Sequence, residues 1–444
     1  MRHTRKPVII LVVVIVTACY FSFPGSDTGK KDEMAFERFM TKIVEVRKIN
    51  SSPGWKHLHS SGKSIESASR HKSSGYDAYI RSSRVYRSMN GDVARVDEFP
   101  YRRYRNISRY FDESRRNETD LLRAENTEWI KKSTREYSPD SWYLLTQYDT
   151  LPEAPTAQTI DGGIASSEKA AGTFYYLRGR SKMDLLASME TNVHEITHGY
   201  FDQNAFRYAK ENNIKMNRNN AEGYIYLSPS SGYFISFPLK SMFPSHELNA
   251  AIPENMRTYR FGTYINGTTS TQSDGIIGLL NELDAYYVGS RFCLDMFEPY
   301  KNAAGSDAAG LFEWVTHTQS TMSAYYEFSF FINEYLLYMK KNYPSEYKDL
   351  VDYHPFGEAL NDLKASYKSL IDRYNSIIQD EIKVLKSNGE ADIKIYKGWL
   401  WIKTGNSNIS SGTPMFSDLR EKLQPVLAGR RYRFIAKDFP EKNN

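Results

Sequence analysis

Two cysteines in 444 residues, Cys19 and Cys293, leave no room for a disulfide framework. Stability must then come from core packing and from any bound ion. Excess charge is also scarce: 58 Lys and Arg stand against 53 Asp and Glu, a net +5. With so little net charge and no recognisable nucleic-acid module, binding of nucleic acid is not expected. The apolar run Val8–Val16 is only nine residues long, too short to cross a hydrocarbon core of ~30 Å comfortably as a helix. Histidine is rare, with 9 in the chain, and no internal repeat is evident.

What the N-terminus does have is the order of an export signal. Arg2, Arg5 and Lys6 precede Val8–Val16, a positive region followed by an apolar one. Val16-Thr17-Ala18-Cys19 resembles the bacterial lipobox, which implies removal of residues 1–18, lipidation of Cys19, and a membrane-anchored lipoprotein of the cell envelope facing the extracytoplasmic side. An uncleaved anchor running through Phe23 is the alternative. Loss of the signal takes three cations with it and leaves +2. Cys293 then has no partner and reads as a buried small apolar residue.

Among the few histidines, two stand in Val193-His194-Glu195-Ile196-Thr197-His198. On a helix, positions i and i+4 share a face, so His194 and His198 can offer two imidazole nitrogens to one Zn²⁺. Glu195 beside them can accept a proton from a water that the ion has acidified to a pKa of about 7. Met183, Leu185, Leu186, Met189, Val193 and Ile196 supply an apolar helical stripe, Ser181 a cap, and Asp184 an acidic first turn. Gly199 reads as the helix end.

A catalytic zinc needs a third protein ligand and an open position. A further histidine after a glycine is excluded, because Phe201 and Asn204 occupy the places it would need. Glu282, in Gly278-Leu279-Leu280-Asn281-Glu282, is the leading candidate, with Glu222, Glu247 and Glu254 as rivals. Taken together, Val193–Gly199 and Gly278-x-x-Asn281-Glu282 resemble the two active-site helices of the gluzincins, the thermolysin-like zinc metallopeptidases. The resemblance implies His194, His198 and Glu282 as metal ligands, Glu195 as general base, Zn²⁺ as cofactor and a protein or peptide as substrate. It differs in two ways: Tyr286 stands where the family has an aspartate, and His198 and Glu282 are 84 positions apart. His317 is the candidate oxyanion stabiliser, beside Tyr325, Tyr326 and His246.

The expected fold is α+β: a zincin-like catalytic domain with a small mixed sheet, an active-site helix and a helical subdomain, carrying N- and C-terminal extensions. Residues 19–75 read as tether and linker, with a short amphipathic helix over Met34–Val46, and 76–140 as a region of unrevealed role. The catalytic domain is expected over 141–345, a helical segment over 346–390 and a small β unit over 391–444. Ser141–Thr146 and Thr173–Arg178 read as strands, Gly223–Ser228 and Tyr233–Phe237 as a hairpin, and Asp202–Asn213 as a short separate helix. A strand just before the active-site helix would suit recognition of extended substrate by strand pairing. The competing function is a non-enzymatic surface lipoprotein binding an envelope or host partner, its metal site structural or vestigial, supported by the Tyr-rich segments and the basic clusters Tyr101–Arg105 and Arg430–Arg433.

Overall fold

The computed structural model describes residues 55–60, 84–88, 93–96, 122–267, 270–389, 391–404 and 410–440. The chain divides into two compact units, Met1–Leu121 and Leu122–Asn444. In the first, β1 (Trp55–Ser60), β2 (Arg84–Ser88) and β3 (Val93–Val96) pair antiparallel in that order. The sequence reading contains none of these strands. Cys19 and the expected helix Met34–Val46 lie outside the described residues.

The second unit opens with a helix over 122–137 (α1) and then α2 (Pro139–Thr150). Here the expected strand Ser141–Thr146 is overturned. Pro139 and Asp140 form a helix start, and Ser141, Leu144, Leu145 and Tyr148 are buried at the spacing of one helical face. A small hairpin, β4 (Thr156–Gln158) and β5 (Ile164–Ser166), follows. Residues 173–176 form turns and 177–178 have no regular structure, so the second expected strand is absent. They are tied to the next helix by side chains: Asn192 Nδ2 donates to Thr173 O at 2.9 Å, Tyr176 N donates to Asn192 Oδ1 at 3.2 Å, and Ser188 Oγ donates to Arg178 O at 2.7 Å.

That helix, α3, runs unbroken from Lys182 to Glu211, 30 residues and so about 45 Å long. Ser181 and Asp184 close a capping box at its start. Gly199 does not end it, and Asp202–Asn213 is its continuation. A Cβ at Gly199 would lie 2.9 Å from Tyr148 Cε2, so the glycine admits α2 at close range. The helix stops at Glu211, with Asn212 as its cap and Asn213, φ 54°, left-handed just beyond.

The expected hairpin is present as β6 (Asn220–Ser228) and β7 (Ser231–Pro238). β6 packs on α3 so tightly that a Cβ on Gly223 would fall 1.9 Å from Phe201 Cζ. Gly223→Ala should therefore destabilise the unit by about 1–3 kcal/mol through overpacking, with Phe201→Leu recovering part of the loss. A urea midpoint for Gly223→Ala equal to wild type would contradict this packing.

The centre of the unit is α4 (Gly275–Asp295), in which every residue from Gly275 to Leu294 except Tyr286 is buried. A helix buried all round is the core of its domain. Around it lie α3, α5 (Phe297–Ala304), α6 (Asp307–Asn342) and, after α7 (Pro344–Asp352), which packs on its neighbours in sequence, α8 (His354–Ser387). On α8, Leu360, Leu363, Tyr367, Leu370, Ile371, Tyr374 and Ile378 recur at helical spacing and are buried, with Ile377 half-buried beside them. Strands β8 (Ala391–Tyr396), β9 (Trp399–Thr404) and β10 (Ser411–Pro414) form an antiparallel sheet, and the helices α9 (Ser417–Leu427) and α10 (Arg433–Asp438) close the described chain.

The result is a mixed α and β architecture in which helix dominates and the described sheets are small and antiparallel, not a mixed sheet. One apolar core runs from Ile130 to Phe439, so the segments 141–345, 346–390 and 391–444 are parts of a single packed unit. No helix among the described residues is long and apolar enough to cross a membrane.

Candidate metal centre

α3 and α4 lie side by side, antiparallel, and the polar residues of each meet at the seam. Gly289 leaves room for Glu190, since a Cβ there would be 2.8 Å from Glu190 Oε1. Further along, Glu282 faces His194 and His198. His198 Nε2 is 3.2 Å from His194 Nε2 and 3.5 Å from Glu282 Oε2, and His194 Nε2 is 3.9 Å from Glu282 Oε2. These three residues form a group whose donor atoms all lie within 4.8 Å of one another, His194 and Glu282 buried and His198 half-buried.

The triangle has the size a cation requires. Donors about 2.0–2.1 Å from a tetrahedral ion stand about 3.3–3.4 Å apart, and 3.2, 3.5 and 3.9 Å bracket that value. Without a cation the same atoms are badly matched. Glu282 Oε2 is buried with no hydrogen-bond partner, while the two imidazole nitrogens face each other. One shared proton satisfies at most two of three acceptors; a metal ion satisfies all three. The residues fit the group.

The electrostatics agree. Burial, followed by the proximity of His198 and Arg260, holds His194 well below the usual imidazole range, so it stays neutral, the form that binds metal. Burial opposes charge on His198 as well, but the Glu282 carboxylate, Asn281 and Glu195 outweigh it and push the group up to about 9. The field at this point therefore favours a positive charge. His198 Nδ1 is 3.1 Å from Asn281 Oδ1; donation to that oxygen fixes the tautomer that leaves Nε2 free for an ion. Glu195, half-buried beside the cluster, is raised by burial, pulled back by His198 and raised again by Glu282.

The rival ligands are engaged elsewhere. Glu222 accepts from Asn217 N at 2.9 Å and Ser236 Oγ at 2.8 Å, Glu247 accepts from Tyr343 Oη at 2.9 Å, and Glu254 is exposed. Asp284 is neither solvated nor turned to a histidine: fully buried, it accepts from Tyr226 N at 3.0 Å, and burial raises it to about 8. His317 sits on α6 with Nε2 3.9 Å from Glu190 Oε2, one turn before His194, and its ring stacks on Tyr300. It is not one of the converging donors. Tyr325 packs on Tyr367, Tyr326 on Phe416, and His246 is exposed on a turn.

Three residues absent from the sequence reading's candidates stand at the site. Tyr286 meets the His194 ring, Tyr264 Oη is 3.1 Å from Tyr286 Oη, and the Arg260 guanidinium lies over the Tyr286 ring. Tyr286 carries a signal, because it stands one turn after Glu282 on the same helix. Arg260 caps and Tyr264 ends a four-residue helix, Phe261–Tyr264, too short to carry a periodic pattern.

Comparison with protein-family models, with curated proteins and with solved structures finds no match.

Proposed function

We propose that the centre binds zinc and that the protein is a zinc metallopeptidase. The observation that carries the reading is the convergence of His194, His198 and Glu282, from two helices, with Glu195 next to the first ligand. Two imidazoles and one carboxylate are a donor set that suits zinc and leaves a fourth position open. Zinc bound there supplies a Lewis acid and lowers the pKa of a coordinated water to about 7.

The chain's own residues do the rest. Glu195 is not a ligand; its carboxylate, half-buried and raised by burial, accepts the proton of the attacking water and returns it to the amine of the cleaved peptide. Asn281, accepting from His198 Nδ1, would hold the ring with Nε2 free to ligate. The lipobox-like Val16–Cys19 supports export and tethering through lipid on Cys19, and the substrate is then a protein or peptide outside the cytoplasm.

The test is metal content by elemental analysis of the purified protein. Wild type is expected to hold about one zinc per chain, and His194→Ala and Glu282→Ala to hold almost none. Wild type that stays metal-free in excess zinc would remove the enzymatic reading and leave a binding lipoprotein in its place.

A further inference from the structure

The two histidines of the centre are supported in different ways. An imidazole that ligates a metal through one nitrogen is ordinarily fixed by a hydrogen bond from the other to a carboxylate, carbonyl or water. His198 follows that rule through Asn281 Oδ1. His194 does not. The side chain that meets its ring is Tyr286, with ring centroids 4.5 Å apart and planes at 68°, an edge-on contact.

Tyr286 is itself held from several directions. It stands four residues after Glu282, so helix geometry carries it over the same face as that ligand. The Arg260 guanidinium lies 4.5 Å from its ring centroid, Phe328 packs at 5.3 Å, and Tyr264 Oη is 3.1 Å from its hydroxyl. Arg260 in turn has no freedom to leave. Its Nη1 donates to Glu327 Oε2 at 2.5 Å and to Ser323 Oγ at 3.1 Å, its Nη2 donates to Ser320 O at 2.8 Å, and its backbone N–H donates to Glu327 Oε1 at 3.0 Å. Arg260 and Glu327 are both buried, so this pairing is strongly constrained. The chain of contact runs from α6 through Arg260 and the Tyr286 ring to a metal ligand.

We propose that Tyr286, backed by Arg260, is the positioning residue of His194: an aromatic ring under a cation in the place where an anionic hydrogen-bond acceptor commonly sits. The inference rests on the metal-centre reading above. It has a chemical consequence. A carboxylate behind an imidazole makes it a stronger donor to the metal. A ring under a cation fixes the plane of the imidazole without adding to its basicity, so the ion keeps more of its charge for the open position.

The experiment is zinc affinity by competition with a chromogenic chelator, together with the visible spectrum of the cobalt-loaded protein, on the full chain. Tyr286→Leu should weaken zinc binding about tenfold or more, the size of effect found when such supports are removed, and should alter the cobalt spectrum. Its chelated form should melt close to chelated wild type. Tyr286→Phe keeps the ring and should restore both affinity and spectrum. Should Tyr286→Leu not fold, the pair Arg260→Met with Glu327→Gln, which removes the cation without stranding its partner, should weaken zinc binding several-fold with all three ligands intact. Wild-type affinity and spectrum in Tyr286→Leu would overturn the inference alone. So would Tyr286→Phe binding as weakly as Tyr286→Leu, since the hydroxyl and not the ring would then be the support. A wild type that binds no metal would overturn both this inference and the reading beneath it.

Discussion

Glu195→Gln is expected to keep its zinc and to lose peptide hydrolysis by about a thousandfold, within the range that general acid–base groups contribute. The substitution alters little but proton chemistry. Gln has nearly the shape of Glu, and residue 195 is not among the three donors, so the metal should remain. What disappears is the carboxylate that follows His194 directly in the chain and is not itself a ligand. A thousandfold is about 4 kcal/mol of barrier, and that is a reasonable amount for a single proton transfer because Glu195 is half-buried. Partial burial raises its proton affinity above that of a solvated carboxylate. The measurement is kcat/KM on a mixed peptide library with zinc content determined on the same sample. Loss of turnover together with loss of metal would mean that Glu195 supports the site structurally. Full turnover in a metal-loaded variant would remove it from the mechanism.

How much of this was legible in the sequence depended on how local each determinant is. His194 and His198 lie on one helix at a spacing of four, and the geometry follows from the spacing alone. Ser181 and Asp184 marked the start of that helix for the same reason. Glu282 was reachable only through the resemblance of its short helix to a known pattern, because nothing in residues 199–281 says how far the chain travels before returning. Ser141–Thr146 was misread on composition: aromatic residues suggested a strand, although Pro139, Asp140 and the buried spacing 141, 144, 145, 148 all belong to a helix. Gly199 was misread on identity. It is a contact glycine facing Tyr148, and that role depends on α2, a helix outside the local window. The irregular course of 173–178 is set by tethers from Asn192 and Ser188 that no local pattern encodes. Arg260 is the extreme case. Its partner Glu327 is 67 positions away, and the ring it covers, Tyr286, is on a third element. His317 is marked only by its residue type, and the fold sets it half-buried on α6 against Tyr300, its Nε2 3.9 Å from Glu190 Oε2 and without a hydrogen bond.

Stripping the metal is expected to cost stability as well as activity, and the two losses should share one dependence on Glu282. The ligands come from α3 and α4, the long helix and the core helix of the unit, so an ion joins two elements that otherwise meet here through mismatched polar atoms. An ion that binds only the folded chain stabilises it by mass action, about 2.7 kcal/mol when free zinc is a hundred times Kd. Wild type should thus melt higher in zinc than in chelator, and the gap should widen as zinc is raised. In Glu282→Ala the gap should close, because two imidazoles without the carboxylate hold zinc far less tightly. The chelated forms should compare differently. In the metal-free protein Glu282 Oε2 lies 3.5 Å from His198 Nε2 and raises that imidazole to about 9, so its removal costs this pairing as well as the cavity that Ala leaves. Glu282→Ala in chelator should therefore melt below chelated wild type, and in zinc the deficit should grow by the whole of the zinc-dependent shift. Equal zinc-dependent shifts in the two proteins would mean that the ion binds elsewhere and that the triangle at His194, His198 and Glu282 is not its site.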